Sequence, residues 1–308
     1  MGSSPTHNTN LYAIVVQGTD AQGKTADSKV KALDGNLWVR LPPIAKFFKN
    51  LKKTVDKPPN VWYNEYRKLR KGTTQMENKI DRRHIYGIML DTETANTLND
   101  NGNLDMSCVL PYDFGFAVID TYGRIYERFS FVNSDIFVHE KELMQSAYYA
   151  KKIPMYEMDL KMGFRKMATT YEIRSALLEK IKEYDCKFVC AHNARFDLTA
   201  CNNIQRWTTK SKYRYFFPYG IEIWDTLKMA RDVIAPMPTY KKFCEQNGYL
   251  TKNGKVRLTA EIIYRFISKD NDFVESHTGL EDVTIETEIL AYCKRQHKKM
   301  RKKLYENA

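Results

Sequence analysis

Apolar and polar positions along this chain follow two rhythms. Short, nearly unbroken apolar runs predict buried strands, and apolar residues recurring every third or fourth position predict amphipathic helices. Ile85–Leu90 is a run of the first kind, and it ends abruptly in Asp91-Thr92-Glu93-Thr94. Tyr112–Ile119 and Arg124–Val132 are two more, joined through Asp120-Thr121-Tyr122-Gly123, whose Asp, Thr and Gly signal a hairpin. Helices are expected over Glu140–Ala150 and Thr170–Tyr184, the second with Ile173, Leu177, Leu178 and Ile181 on one face. Strands Lys187–Ala191 and Ile221–Trp224 follow, then helices Asp225–Asp232, Tyr240–Asn247 and Leu258–Ile267. A long last helix is expected from Glu281 to Leu304. Strands followed by strand–helix repeats predict an α/β fold, a mixed sheet covered by helices on both faces.

Residues 1–84 read differently, as a small basic N-terminal region set apart from a domain spanning 85–308. Residues 1–10 are small and polar, and Leu11–Val16 is a strand candidate. Gly18-Thr19-Asp20-Ala21-Gln22-Gly23-Lys24-Thr25 matches a phosphate-cradling loop, but the helix that such a loop needs does not follow. A second strand-like run, Leu37–Leu41, comes instead, which favours a hairpin or small meander. Ile44–Lys53 reads as a basic amphipathic helix, and Trp62–Lys71 mixes aromatic and basic residues. Trp62, Arg67, Lys68 and Arg70 are candidates to grip a nucleic-acid strand, with bases on the aromatic face and phosphates on the cations. The bland alternative is a helix packing Trp62, Tyr66 and Leu69 with its charges in water. Residues 72–84 read as a linker, and Ala95–Asp105 is an Asn- and Asp-rich loop.

Composition adds two things. The chain has 308 residues and a net charge of +12, which suits a polyanionic partner without proving one. Its six cysteines (Cys108, Cys186, Cys190, Cys201, Cys244, Cys293) form no Cys-x-x-Cys pair, so reduced, buried thiols in a cytoplasmic compartment are expected. No apolar run reaches membrane-spanning length and no signal peptide is recognisable. Met1-Gly2-Ser3-Ser4-Pro5-Thr6 fits a myristoylation pattern formally and is read as a loose terminus.

The candidate chemistry lies at strand ends. Asp91 and Glu93 are two apart on a strand, so their carboxylates point to one side and repel unless a cation or a shared proton intervenes. His192-Asn193-Ala194-Arg195-Phe196-Asp197 follows another strand directly. Asn193 is a good N-cap, which places Asp197 in a first helical turn, at the crevice where open sheets bind ligands. An acid there also suits the helix dipole with no further role. The third group is His277-Thr278-Gly279-Leu280-Glu281-Asp282. On one continuous helix, residues five apart sit ~140° apart. Thr278-Gly279 supplies a break, leaving His277 on an approach loop and Asp282 in the helix. Four acids and a histidine so placed suit two-cation phosphodiester hydrolysis. A retaining glycosidase pair needs only two carboxylates and leaves the others unexplained.

At these residues a resemblance emerges. Asp91-Thr92-Glu93, His192–Asp197 and His277 five before Asp282 resemble the three motifs of the DEDDh exonucleases, which include the proofreading subunit of bacterial DNA polymerase III, ribonuclease T and oligoribonuclease. Trp224-Asp225-Thr226-Leu227 resembles the strand-to-helix segment between the second and third motifs. The match spans roughly residues 85–300, with 95–105 and 203–220 as inserts, while the first 84 residues resemble nothing nameable. The chain as a whole has the look of a bacteriophage-encoded protein. The resemblance implies a ribonuclease H-like fold and 3′-to-5′ hydrolysis of nucleic acid, DNA or RNA, from a single-stranded 3′ end, releasing nucleoside monophosphates. It implies two Mg²⁺ or Mn²⁺ ions held by Asp91, Glu93, Asp197 and Asp282, with His277 taking the proton from the attacking water. Thr92, Asn193 and Phe196 are then candidate nucleic-acid contacts, and the N-terminal region a docking point for a polymerase or replication protein. The competing expectation is a nucleic-acid-binding or scaffold protein that uses the same fold without turnover.

Overall fold

The computed structural model describes residues 80–95, 105–146 and 150–306, together with two short strands nearer the N-terminus. The chain divides into two units, Met1–Asn78 and Lys79–Ala308. In the first, β1 (Lys29–Lys31) pairs antiparallel with β2 (Trp38–Arg40). The second of these falls within the expected run Leu37–Leu41. The strand expected at Leu11–Val16, the loop Gly18–Thr25, the helix expected at Ile44–Lys53 and the segment with Trp62, Arg67, Lys68 and Arg70 lie outside the described residues.

The second unit is built on a six-stranded sheet. Its strands are β3 (Tyr86–Ala95), β4 (Leu110–Asp120), β5 (Ile125–Asn133), β6 (Lys166–Ala168), β7 (Phe188–Ala191) and β8 (Glu222–Asp225), in the spatial order β6-β5-β4-β3-β7-β8. β3, β4 and β5 form an antiparallel meander, while β6, β7 and β8 pair in parallel. Nine α-helices are described in this unit: α1 (Ser134–Phe137), α2 (Lys141–Ser146), α3 (Ile153–Lys161), α4 (Thr170–Glu183), α5 (Arg195–Thr209), α6 (Thr226–Val233), α7 (Pro238–Gln246), α8 (Ala260–Ser268) and α9 (Gly279–Arg295). This is the mixed sheet flanked by helices that the strand and helix pattern predicted.

β3 explains how two faces arise from one apolar run. Ile88 and Leu90 enter a core with Phe114, Phe116, Ile173, Leu177 and Ile204. Met89, of opposite parity, enters another with Ala117, Phe188, Val283, Ile289 and Leu290. Alternation therefore sends Asp91 and Glu93 to the Met89 side, the side on which α9 packs. α4, the helix expected from the periodicity of Ile173, Leu177, Leu178 and Ile181, starts with a capping box in which Thr169 and Glu172 satisfy each other's backbone amides.

Three local expectations are corrected. The last helix stops at Arg295 rather than Leu304. His297 takes a left-handed backbone (φ 52°), and the chain then runs back along the edge of β8. There the Asp225 amide donates to the Lys302 carbonyl, and the Leu304 amide to that of Ile223, at 2.8 Å each. Strand edge and tail satisfy each other's backbone groups, and this outweighs the helical preference of the basic run. Second, Asn193 is not a side-chain N-cap: it is left-handed (φ 65°), α5 begins at Arg195, and Ala194 is the capping position. Third, β6 and α3 occupy a stretch with no expected element, and residues 203–209 of the supposed insert complete α5. The six cysteines are free thiols, five of them buried and Cys108 half-buried. Among the described residues, no helix is long and apolar enough to cross a membrane.

Candidate active site

Asp91 and Glu93 sit at the C-terminal end of β3, where the strand bends at a register shift between Glu93 and Thr94. Asp91 stands opposite Gly115 on β4, and Glu93 opposite Asp113. The missing side chain at Gly115 lets the start of α9 lie directly on the sheet. A methyl group on Gly115 would fall 2.0 Å from the Gly279 carbonyl carbon, and one on Gly279 would fall 2.5 Å from the Gly115 nitrogen. This glycine-to-glycine contact delivers Asp282, in the first turn of α9, to the acids of β3.

The start of α9 is held by a buried charge network. Asp113 accepts hydrogen bonds from the Gly279 amide (3.0 Å) and the Tyr156 hydroxyl (2.8 Å). Arg165 pairs with the same carboxylate at 3.1 Å, with Asp159 at 3.0 Å and with Glu281 at 3.2 Å. The Asp113 and Glu93 carboxylates face each other across the strands, so the guanidinium also offsets a like-charge pair.

Asp197 arrives from α5, in the first turn as expected. It accepts hydrogen bonds from the Thr92 amide (3.1 Å) and hydroxyl (2.8 Å). Thr92 is thus buried against Asp197, whereas Asn193 is exposed and Phe196 half-buried at the same turn. The turn is set by Asp225, whose carboxylate accepts from the Asn193 amide at 3.0 Å and caps α6 through the Leu227 amide at 2.9 Å. His192 is structural: its two ring nitrogens are engaged by the Thr226 hydroxyl and the Leu258 carbonyl.

His277 sits before the helix with a left-handed backbone (φ 52°), and its ring is half-exposed. Glu93, Asp282 and His277 each offer a ligand atom, and these atoms lie within 4.8 Å of one another. Lys152 holds the approach loop by donating to the carbonyls of Ser276 and His277. Glu275 lies 3.5 Å from His277 Nδ1.

Acids dominate the electrostatics of the site. Burial, together with the surrounding acids, pushes Asp91, Glu93 and Asp282 well above the ordinary carboxylate range. Burial brings Asp197 to about 7 and Glu275 to about 7. Burial, then Lys152, holds His277 below the usual imidazole value. Asp282 Oδ1 is buried with no hydrogen-bond partner. A buried carboxylate oxygen with no donor is what a hard divalent cation satisfies.

The structure therefore gathers Asp91, Glu93, Asp197, Asp282 and His277 around one strand end. Trp62, Arg67, Lys68 and Arg70 lie outside the described residues. Lys152, Glu275, Asp113 and Arg165 were not legible as site residues, because nothing in their local sequence marks them.

No family model and no curated protein matches this chain. Among solved structures it is similar to the nuclease domain of 3'hExo, a DEDDh family member, bound to rAMP, at 15% identity and TM-score 0.47, covering 72% of this chain and 98% of that one. It is also similar to E. coli Exonuclease I in complex with a 5cy-dT13 oligonucleotide, at 12% identity and TM-score 0.44, covering 70% of this chain and 41% of that one. A third is an Exonuclease I from Methylocaldum szegediense, at 16% identity and TM-score 0.43, covering 69% and 41%.

Proposed function

We propose that this chain is a divalent-cation-dependent 3′-to-5′ exonuclease that acts on single-stranded ends of DNA or RNA and releases nucleoside monophosphates. The observation that carries this reading is the convergence of Glu93, Asp282 and His277 within 4.8 Å, beside Asp91 and Asp197. Asp91, Glu93, Asp197 and Asp282 would hold two Mg²⁺ or Mn²⁺ ions. Ions so held would acidify a water, neutralise the leaving oxygen and offset the repulsion among the carboxylates. His277, held below the usual imidazole value by burial and the nearby Lys152, is available to accept the proton of the attacking water. Lys152 and Glu275 orient it, one through the backbone carbonyls and one at Nδ1. Thr92 fixes the Asp197 carboxylate from both its amide and its hydroxyl.

The test is degradation of labelled single- and double-stranded DNA and RNA by the full chain, with Mg²⁺ or with a chelator, and with Asp91→Ala as control. Stepwise shortening from the 3′ end, lost with the chelator and in the variant, is expected. Binding without shortening would instead establish a non-catalytic nucleic-acid-binding protein.

A further inference from the structure

Residues 203–220 include no acid, but four cations (Arg206, Lys210, Lys212, Arg214) and six aromatic rings. The first part closes α5, and 210–220 is an irregular loop leading to β8. Two of its rings are anchors. Phe216 is fully buried and stacks on Phe114, which stands opposite Thr92 in the sheet. Phe217 is also buried and lines one cleft with Leu90, Asp197 and Leu198. The backbone is pinned at the same point. The Phe216 amide donates to Asn202 Oδ1 at 3.0 Å, and its carbonyl accepts from Arg174 Nε at 2.7 Å. The loop is thereby fixed beside Thr92 and Asp197.

The tyrosines face water instead. Tyr213 is 77% exposed, Tyr215 59% and Tyr219 fully exposed. They are three of the six exposed tyrosines among the described residues, so exposed aromatic surface is concentrated in this one loop. Cations stand beside the rings. Lys212 lies 5.2 Å from the Tyr213 centroid, Arg206 5.2 Å from that of Tyr215 and Lys210 4.6 Å from that of Trp207. Among the described residues, none of the four cations pairs with a carboxylate. A ring with a cation at one side still offers a face to a base, and a cation without a carboxylate is open to phosphate. We propose that this loop is a nucleic-acid surface apart from the acids, binding single-stranded DNA or RNA through bases stacked on Tyr213, Tyr215 and Tyr219 and phosphates on Lys210, Lys212 and Arg214. A duplex hides its base faces, so unpaired strands are preferred. The surface stands on its own chemistry and needs no turnover at the acids.

Fluorescence anisotropy of labelled oligo-dT and oligo-U with the full chain, in chelator, tests this. Tyr213→Ala with Tyr215→Ala should weaken binding about 10-fold or more, and Tyr→Phe at both positions should preserve it. Lys210→Gln with Lys212→Gln should flatten the log–log salt slope by about 1.4, at about 0.7 for each phosphate contact. Wild-type affinity and slope in these variants would overturn the proposal. So would a duplex that binds as tightly as the single strand, or a Phe variant that loses as much as the Ala variant. Should a variant not fold, the wild-type chain is crosslinked by ultraviolet light to a bromouracil-containing strand. Crosslinks within 206–219 support the proposal, and crosslinks confined to other residues overturn it. The two readings fail separately. Binding through this loop with no shortening of a labelled strand in Mg²⁺ removes the exonuclease reading alone. Shortening in Mg²⁺, with binding indifferent to the loop variants, removes this one alone.

Discussion

Gly115→Ala should damage the site from a position that carries no chemistry. The added methyl group would lie 2.0 Å from the Gly279 carbonyl carbon and 2.2 Å from both the Gly279 oxygen and the Leu280 nitrogen. Ordinary contact begins near 3.4 Å, so roughly 1.4 Å of separation must be found. All three atoms are backbone, so no side chain can rotate away. Either β4 or the start of α9 has to move. Overpacking of this kind costs about 1–3 kcal/mol. Moving α9 also strains the 3.0 Å bond from the Gly279 amide to buried Asp113, and a hydrogen bond to a charged group contributes about 1.5–3 kcal/mol. A loss of about 2–4 kcal/mol is expected, since one displacement causes both effects. Asp282 is carried with the helix, and a misplacement of about 1 Å costs on the order of 100-fold in rate. Urea denaturation, Mn²⁺ titration and turnover of a labelled oligonucleotide would measure the three consequences. Gly163→Ala is the matched control: a side chain there meets nothing within 4 Å, and only its left-handed backbone (φ 71°) is strained. That costs about 1–2 kcal/mol without touching the site. A Gly115→Ala protein as stable and active as wild type would refute the claim that this contact sets the position of Asp282.

Arg165→Met leaves the Asp113 carboxylate buried without its guanidinium, and should cost about 3–5 kcal/mol in urea unfolding. An unchanged midpoint would show that the network holding α9 is dispensable. Lys152→Met frees the carbonyls of Ser276 and His277, so turnover should fall about 10-fold or more. Removing a cation beside Glu93 and Asp282 should leave Mn²⁺ affinity equal or higher, and a parallel loss of affinity would contradict this role. Linkage gives a third test. Asp197 is raised from the ordinary 3.8 to about 7, so between those values the folded chain keeps a proton that the unfolded chain releases. In chelator, stability should therefore fall as pH rises from about 4 to about 7, and Mg²⁺ should raise the melting temperature more at pH 8 than at pH 5. An equal Mg²⁺ effect at both would count against ion binding by these carboxylates.

The reach of the linear pattern shows in particular residues. Ile85–Leu90 with Asp91 and Glu93 was readable because alternation on a strand is a short-range rule, and the structure keeps it. His277 ahead of the helix and Asp282 within it followed from Thr278-Gly279 for the same reason. The end of α9 did not follow, because the competitor of the basic run is the edge of β8, about eighty residues away in the chain. Asn193 failed likewise: a good N-cap by type, it gives its amide to Asp225 on a neighbouring strand.

The order of residues alone thus establishes the alternation of strands and helices, the parity that turns two acids to one side, and the acids and histidine to watch. It does so because these depend on backbone period and on neighbours within a turn or two. The packed molecule adds how closely those groups approach, through Gly115 against Gly279 and Arg165 among three acids. It also adds who stands beside them: Lys152 and Glu275. Those contacts join residues more than a hundred positions apart in several cases, and no local propensity encodes a distance of that kind.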